Sequence, residues 1–228
     1  MRSLKYNCWQ KFGVFMQILR TTALVTALCF SLPALAQEKS SLLDIQHKWA
    51  KVNYGIDNAK QLGQFKSLIE QARELVAASP NNAAALTWLG VVQASAARAK
   101  GGLGALDFAE NARDNFEKAI EIKPSALNGT ALFSLAALYH KVPGWPVSFG
   151  DVDKAEKLFK DALAIHPKGI DPNYFYAEYL YEEGNYESAY RYLQQALQAD
   201  PRPDRPLADS GRREAVKTLL KKVTSKRS

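Results

Sequence analysis

The chain has 228 residues, 47% of them hydrophobic and 23% charged, with a net charge of +7 and two cysteines, Cys8 and Cys29. Both cysteines lie in the first 36 residues, so from Gln37 onward disulfide staples, thiolate metal sites and cysteine nucleophiles are excluded and stability must come from apolar packing. The charge is uneven: from Arg202 to the end there are nine basic residues against three acidic ones, while residues 37–201 carry 17 against 20.

Met1–Ala36 holds Arg2, Lys5, Lys11 and Arg20 and no acidic residue. The apolar run Thr21–Pro33 is followed by Ala34-Leu35-Ala36, which puts small residues three and one positions before a cut after Ala36. Residues 1–36 therefore read as an export signal peptide that begins at Met1 or at Met16, and the product as periplasmic or secreted. The run is shorter than the roughly 20 residues needed to span a bilayer, which disfavours a permanent anchor. A lipid-modified cysteine is disfavoured too, because Cys29 follows Leu28 and not a small residue. With the leader gone, 26 basic residues face 23 acidic ones and the net charge falls to +3.

Residues 37–80 begin with Leu42, Ile45, Trp49 and Val52, spaced as the apolar stripe of a helix, and continue with Phe65–Ser79 as a second helix stopped at Pro80. In 81–124 the pair Leu89-Gly90 marks one helix and Ala112-x3-Phe116-x2-Ala119-x4-Pro124 the next. Residues 125–167 repeat this with Leu135-Ala136 and Ala155-x3-Phe159-x2-Ala162-x4-Pro167. Residues 168–201 do so again with Tyr176-Ala177 and Ala189-x3-Leu193-x2-Ala196-x4-Pro201. On a helix the first, fifth and eighth positions of each segment share one face; the alanines let a neighbour come close and the larger residue fills the space between them. Past the Pro-rich stretch Arg202–Pro206, Leu207, Val216, Leu219, Leu220 and Val223 suggest one apolar side of a last helix, with Arg212, Arg213, Lys217, Lys221 and Lys222 elsewhere and a basic tail read as solvated.

The interval from the small residue of the first helix to the first alanine of the second is 12 in the last unit, but 22 from Gly90 to Ala112 and 19 from Ala136 to Ala155. Two inserts are thus expected, Lys100–Phe108 and Lys141–Asp151, both emerging on the same edge of the stack. The second carries Trp145 and Phe149 between two prolines and two glycines, which points either to presented aromatic rings or to rings folded back between repeats. Asn128-Gly129-Thr130 matches a glycosylation acceptor but reads as a helix start with Asn128 as the cap.

Helix pairs that end in proline, a 34-residue step from Pro167 to Pro201, and Gly184-Asn185-Tyr186 at the bend resemble the tetratricopeptide repeat (TPR) family over about Asp44–Pro201. Pro143–Asp151 and Arg205–Arg213 are similar to stretches of exported proteobacterial members. The resemblance implies an all-α, right-handed TPR-like solenoid of antiparallel helix pairs with a C-terminal capping helix. It also implies a hollow face lined by first helices, on which matching positions would be Thr130, Phe133, Ala137, His140 and Lys141 in the third unit, and Asp171, Tyr174, Glu178, Tyr181 and Glu182 in the fourth. Thr87, Ser95, His47 and Tyr54 would be the contributions of the first two units. From these, Phe133, His140, Tyr174, Glu178 and Tyr181 are the candidate groove residues, and Trp145 and Phe149 the candidate edge residues.

No histidine has a metal-ligand partner at H-E-x-x-H spacing, no G-x-S-x-G elbow occurs, and the glycines of the first insert lack a following Gly-Lys-Ser/Thr. No cofactor, metal, nucleic acid or catalytic residue is expected, nor a membrane span after cleavage. The expected function is an interaction scaffold for a protein or peptide of the cell envelope. The alternative is a periplasmic carrier of an apolar small molecule associated with a transporter, suggested by the paired inserts and the aromatic residues of Phe133–Tyr181.

Overall fold

The alternation of small and large residues sets the seams between helices. The computed structural model describes residues 31–227, with side chains described from Ser41 onward. The expected leader lies outside the described residues up to residue 30, and its end, residues 31–36, falls within the bounds of the first helix. Helix α1 (Ser31–Gly55) precedes α2 (Asn58–Ala78), α3 (Ala83–Lys100) pairs with α4 (Leu106–Ile122), α5 (Thr130–Lys141) with α6 (Val152–Ile165), and α7 (Ile170–Glu182) with α8 (Tyr186–Leu197). Helix α9 (Pro206–Arg227) follows, and no strand lies among the described residues. From Leu42 onward the described residues form one compact unit. Within it, helix pairs stack into an all-α, TPR-like solenoid.

Every residue of the three aligned seams is sealed from water: Ala112, Phe116 and Ala119 on α4, Ala155, Phe159 and Ala162 on α6, and Ala189, Leu193 and Ala196 on α8. The small residues of the first helices, Gly90, Ala136 and Ala177, are buried against them. In the first pair Ala50, next to Trp49, takes this place and is buried, and Phe65, Leu68, Ile69 and Ala72 of α2 fill a core shared with α3. The α1–α2 pair is tied by Lys48 Nζ, which donates to Gln71 Oε1 at 2.8 Å, and by Gln61, whose buried amide donates to the carbonyl of Ile56 at 3.0 Å.

The two inserts differ. Lys100–Phe108 stays largely helical: α3 runs on to Lys100, a 3-10 turn covers Leu103–Ala105, and α4 starts at Leu106. Ala94–Ala99 offers residues that extend a helix at little cost, so the extra length becomes helical turns and only Gly101-Gly102, at φ 65° and 60°, makes the bend. The second insert does leave the helices. Asn128 is also not the cap expected at α5: Leu127, Asn128 and Gly129 are all left-handed, at φ 49°, 57° and 76°, and Gly129 is the N-cap. The Asn128 side chain makes no cap, because its backbone is spent on the reversal that brings buried Ala126 under the stack.

In α9, Val216, Leu219 and Val223 are buried against the last pair, which makes this stretch the C-terminal cap. Leu207 does not share that side and is exposed. Nine residues at about 100° each carry it half a turn away from Val216.

A Cβ added at Gly90 would lie 2.6 Å from Cε1 of Phe116, whose ring is fully enclosed. Gly→Ala within a helix ordinarily gains up to about 1 kcal/mol, whereas overpacking a closed core costs about 1–3 kcal/mol. Gly90→Ala is therefore expected to lower stability by about 1 kcal/mol in urea unfolding, and Phe116→Leu in the same chain to recover part of the loss. A stabilised Gly90→Ala protein would show that this seam is not close-packed.

Candidate partner-binding surfaces

The loop after α5 is rigid by backbone pairing. Gly150 N–H donates to the carbonyl of Pro143 at 2.9 Å, Asp151 N–H to that of Tyr139 at 2.9 Å, and Val147 N–H to that of Gly144 at 3.1 Å. Gly150 passes so close to Val142 that a Cβ would fall 1.9 Å from its carbonyl oxygen, so no other residue fits without displacing the loop. Asp151 then caps α6, accepting from Lys154 N–H at 2.9 Å. Phe149 is the loop's anchor: half-buried, it meets Tyr139 edge-on at 5.6 Å, and the Arg113 guanidinium of α4 lies 4.7 Å over its ring. Trp145 does the opposite. It is 90% exposed, with Val147 and Val152 also exposed beside it in sequence. Of the two readings of this loop, fold-back holds for Phe149 and presentation for Trp145.

The other candidates lie on α5 and α7. Phe133 is buried, stacked on Phe175 at 5.4 Å. His140 Nε2 is 2.8 Å from Glu182 Oε2, and Lys141 Nζ pairs with Glu182 and lies 3.7 Å from Glu178. Burial works against the Glu182 carboxylate, but hydrogen bonds from Lys141 and His140 outweigh it and hold its pKa below the usual range. Tyr174 hydroxyl donates to Glu178 at 3.0 Å, and burial together with that carboxylate raises its pKa. Tyr181 packs on Tyr186 at 5.6 Å. These residues thus fall into an aromatic group around Tyr174 and Phe133 and an ion-paired group around His140, Glu178 and Glu182.

Residues 202–213 lie over the first group. Asp171, at the start of α7, receives Arg202 on one carboxylate oxygen and Arg212 Nε on the other at 2.7 Å. Arg212 also lies 4.4 Å over Tyr174 and 4.5 Å over Phe175. Arg205 sits 5.3 Å from the Trp88 ring of α3, and Gly211 faces Tyr54 of α1 so closely that a Cβ would be 2.5 Å from the ring. His47 Nε2 of α1 is 2.6 Å from the carbonyl oxygen of Asp204. One short segment reaching α1, α3 and α7 requires that these first helices line a common hollow. Arg213 pairs with Asp209 at 2.8 Å and donates to the carbonyl of Ala199 at 2.8 Å.

This corrects the reading of the C-terminal charges. Arg202, Arg212 and Arg213 are not solvated; their side chains keep only 22%, 11% and 24% of their exposure. Sequence reasoning missed them because Arg202 and Arg212 find their partner, Asp171, on a distant helix; the signal available was that lone acid at a hollow-facing position together with arginines in and after a Pro-rich link. Thr87 and Ser95 are buried and committed within the fold, Thr87 to the carbonyl of Ala83 and Ser95 to the indole N–H of Trp49. Beside this segment, Lys168, Asp171, Arg202 and Arg205 contribute to a recess of about 250 Å³. Among the described residues no cluster of three metal-ligating side chains occurs, and no helix is long and apolar enough to cross a membrane.

Stacked helix pairs around a hollow define a helical-repeat solenoid, a class of fold that builds binding surfaces. Residues 147–212 match the tetratricopeptide repeat family. A repeat fold of this kind suggests a protein–protein interaction scaffold. The chain is similar to a thermophilic TPR protein of Thermus thermophilus at 18% identity and a TM-score of 0.55, over 87% of this chain and 96% of that one. It is also similar to MamA, at 17% identity and a TM-score of 0.43 over 72% and 90% of the two chains. PilF of Pseudomonas aeruginosa matches at 15% identity and a TM-score of 0.33 over 83% and 93%. No curated protein matches the sequence.

Burial would raise the pKa of Asp171, but Arg212, Arg202 and Arg205 overcome it and hold the carboxyl at about 2, below its ordinary 3.8. A carboxyl depressed in the folded state stabilises fully above its unfolded value and loses that contribution as pH falls through the folded value. The contribution of about 2 kcal/mol should therefore disappear between about pH 4 and pH 2. In urea unfolding, Asp171→Asn is expected to lose at least this much at about pH 7 and to close the gap to wild type near about pH 2. An equal gap at both pH values would refute the ion pairing.

Proposed function

We propose that this protein is an exported scaffold of the cell envelope that holds a protein partner through the Trp145 edge. The observation that carries this is the exposure of Trp145 on a loop whose backbone is pinned. Tryptophan offers about 150–250 Å² of contact area, and such side chains at the centre of an interface commonly contribute about 2 kcal/mol or more. A loop already fixed loses little conformational freedom on binding, so more of that contact energy is retained. Export rests on the basic, acid-free leader and the small residues before Gln37.

The carrier reading draws less support. The aromatic residues that suggested an apolar ligand pocket pack on one another: Phe133 on Phe175, Tyr176 on Tyr179 at 5.8 Å, and Phe159 on both tyrosines. The groove reading is narrowed as well, because Tyr174 lies beneath Arg212.

Pull-down from periplasmic extract with full-length protein tests the proposal. Trp145→Ala is expected to leave stability within about 0.5 kcal/mol and to weaken capture of a specific protein about 30-fold, whereas Phe149→Ala, which unseats the loop, lowers both stability and capture. A specific partner captured equally by wild type and Trp145→Ala would overturn the Trp145 assignment.

A further inference from the structure

The hollow is filled by a piece of the chain itself, and that piece is attached differently from the rest of its helix. From Val216 onward α9 is held by buried aliphatic side chains. Ahead of Gly211 the attachment is mostly polar: Ala208 is the one buried apolar side chain of 202–210, the link carries Pro201, Pro203 and Pro206, three positions without a backbone N–H, and Leu207 points to solvent. What docks it is the guanidinium set of Arg202 and Arg212 on Asp171, with Arg212 over two rings. The fit is incomplete. Arg205 Nε and Trp88 Nε1 are both enclosed without an acceptor, a desolvation cost that no hydrogen bond offsets. Gly211 allows the approach to Tyr54, and a glycine inside a helix also makes that turn easier to melt.

We propose that residues 202–213 are a displaceable latch, and that the hollow beneath them receives a basic helical segment of a partner protein that presents arginine to Asp171, Tyr174 and Phe175. The latch shows which ligand the hollow accepts. Asp171 and Glu178 supply negative charge beside the rings, and a planar guanidinium satisfies both at once, pairing with the carboxylate while lying on the aromatic faces. An acidic or purely apolar segment would leave Asp171 enclosed without a cation, an uncompensated buried charge that displaces the equilibrium strongly against such a ligand. A competing segment needs an arginine that reaches Asp171 and a small residue at the Tyr54 contact. The proposal rests on the reading of the chain as a protein-binding scaffold, but it concerns a second surface, separate in sequence and in chemistry from the Trp145 loop.

The latch is opened without touching the hollow by Gly211→Ala, since the added methyl collides with Tyr54 while favouring the helix. The probe is a fluorescein-labelled peptide of residues 200–215, titrated onto full-length protein and followed by anisotropy. A tethered competitor acts at an effective concentration in the millimolar range, so wild type should bind the peptide weakly and Gly211→Ala about ten-fold or more tighter. A peptide with Arg202→Ala and Arg212→Ala should not bind, and Trp145→Ala should leave the titration unchanged. Equal peptide binding by wild type and Gly211→Ala overturns the proposal, as does equal binding of the alanine peptide. Hydrogen exchange on wild type checks it without any variant. The amides of 207–213 should exchange at least about ten-fold faster than those of 216–223, and faster still in about 1 M salt, where ion pairs are screened. Uniform protection along α9 would mean that the segment is a fixed part of the fold. The two surfaces fail separately: loss of the peptide result leaves the Trp145 pull-down standing, and the reverse holds equally.

Discussion

Close approach of helix on helix through alanine and glycine is the constraint from which the rest of this structure follows. Ala112, Ala119, Ala155, Ala162, Ala189 and Ala196 are sealed, and each pair of them brackets one larger side chain. A chain with no cysteine after residue 36 has only this packing and its hydrogen bonds to hold it, so the seam leaves little room for variation. The distance between first helices is fixed by the same contacts, and the width of the hollow follows from it. A methyl too many at Gly90 would press on Phe116 and disturb α3, which also carries Trp88.

A hollow lined with tyrosine, phenylalanine and tryptophan has an electrostatic problem when one aspartate stands among the rings. Asp171 is shielded enough that burial alone would favour its neutral form, yet it stays ionised because guanidinium groups reach it from the link and from α9. Ring faces help to keep those cations in place, as with Arg212 over Tyr174 and Phe175. Attraction of this kind is strong at short range and weakened by salt, unlike the aliphatic burial of Val216 and Val223 in the same helix. Helix α9 therefore joins two kinds of attachment in one element, apolar at its C-terminal half and chiefly ionic at its N-terminal end, where only Ala208 adds a buried apolar contact.

The repeats were legible because their information is local. Spacing within one helix, a proline at its end and a small residue in the preceding helix identify each pair, and all three aligned seams are buried as that pattern requires. The first pair was harder: its small residue, Ala50, stands beside a tryptophan, and α2 inverts the alternation of large and small. The hollow was legible only in part. Tyr174 and Phe133 were assigned to it from position, but Phe133 is taken up by Phe175, and the arginine that covers Tyr174 comes from 38 residues further along the chain. Charge composition sees nine basic residues after Pro201 and gives no sign of which of them face an acid on a distant helix.

The two inserts show how a few residues decide whether extra length stays in the stack or leaves it. Both interrupt the turn between the helices of one pair. In the first, Ala-Ser-Ala-Ala-Arg-Ala continues the helical ladder, so the added residues lengthen α3 and α4 and expose little beyond Leu103. In the second, Pro143 and Pro146 forbid that solution, and the residues must form their own backbone pairing between Gly144 and Gly150. Once that pairing is made, Phe149 is directed inward to Tyr139 and Trp145 outward. A tryptophan held outward on a fixed loop forgoes the several kcal/mol that burying it would contribute. The fold has an anchor in Phe149 and gains nothing further from Trp145 at that position. The proposed scaffold function gives that ring its use, as a contact for a partner protein.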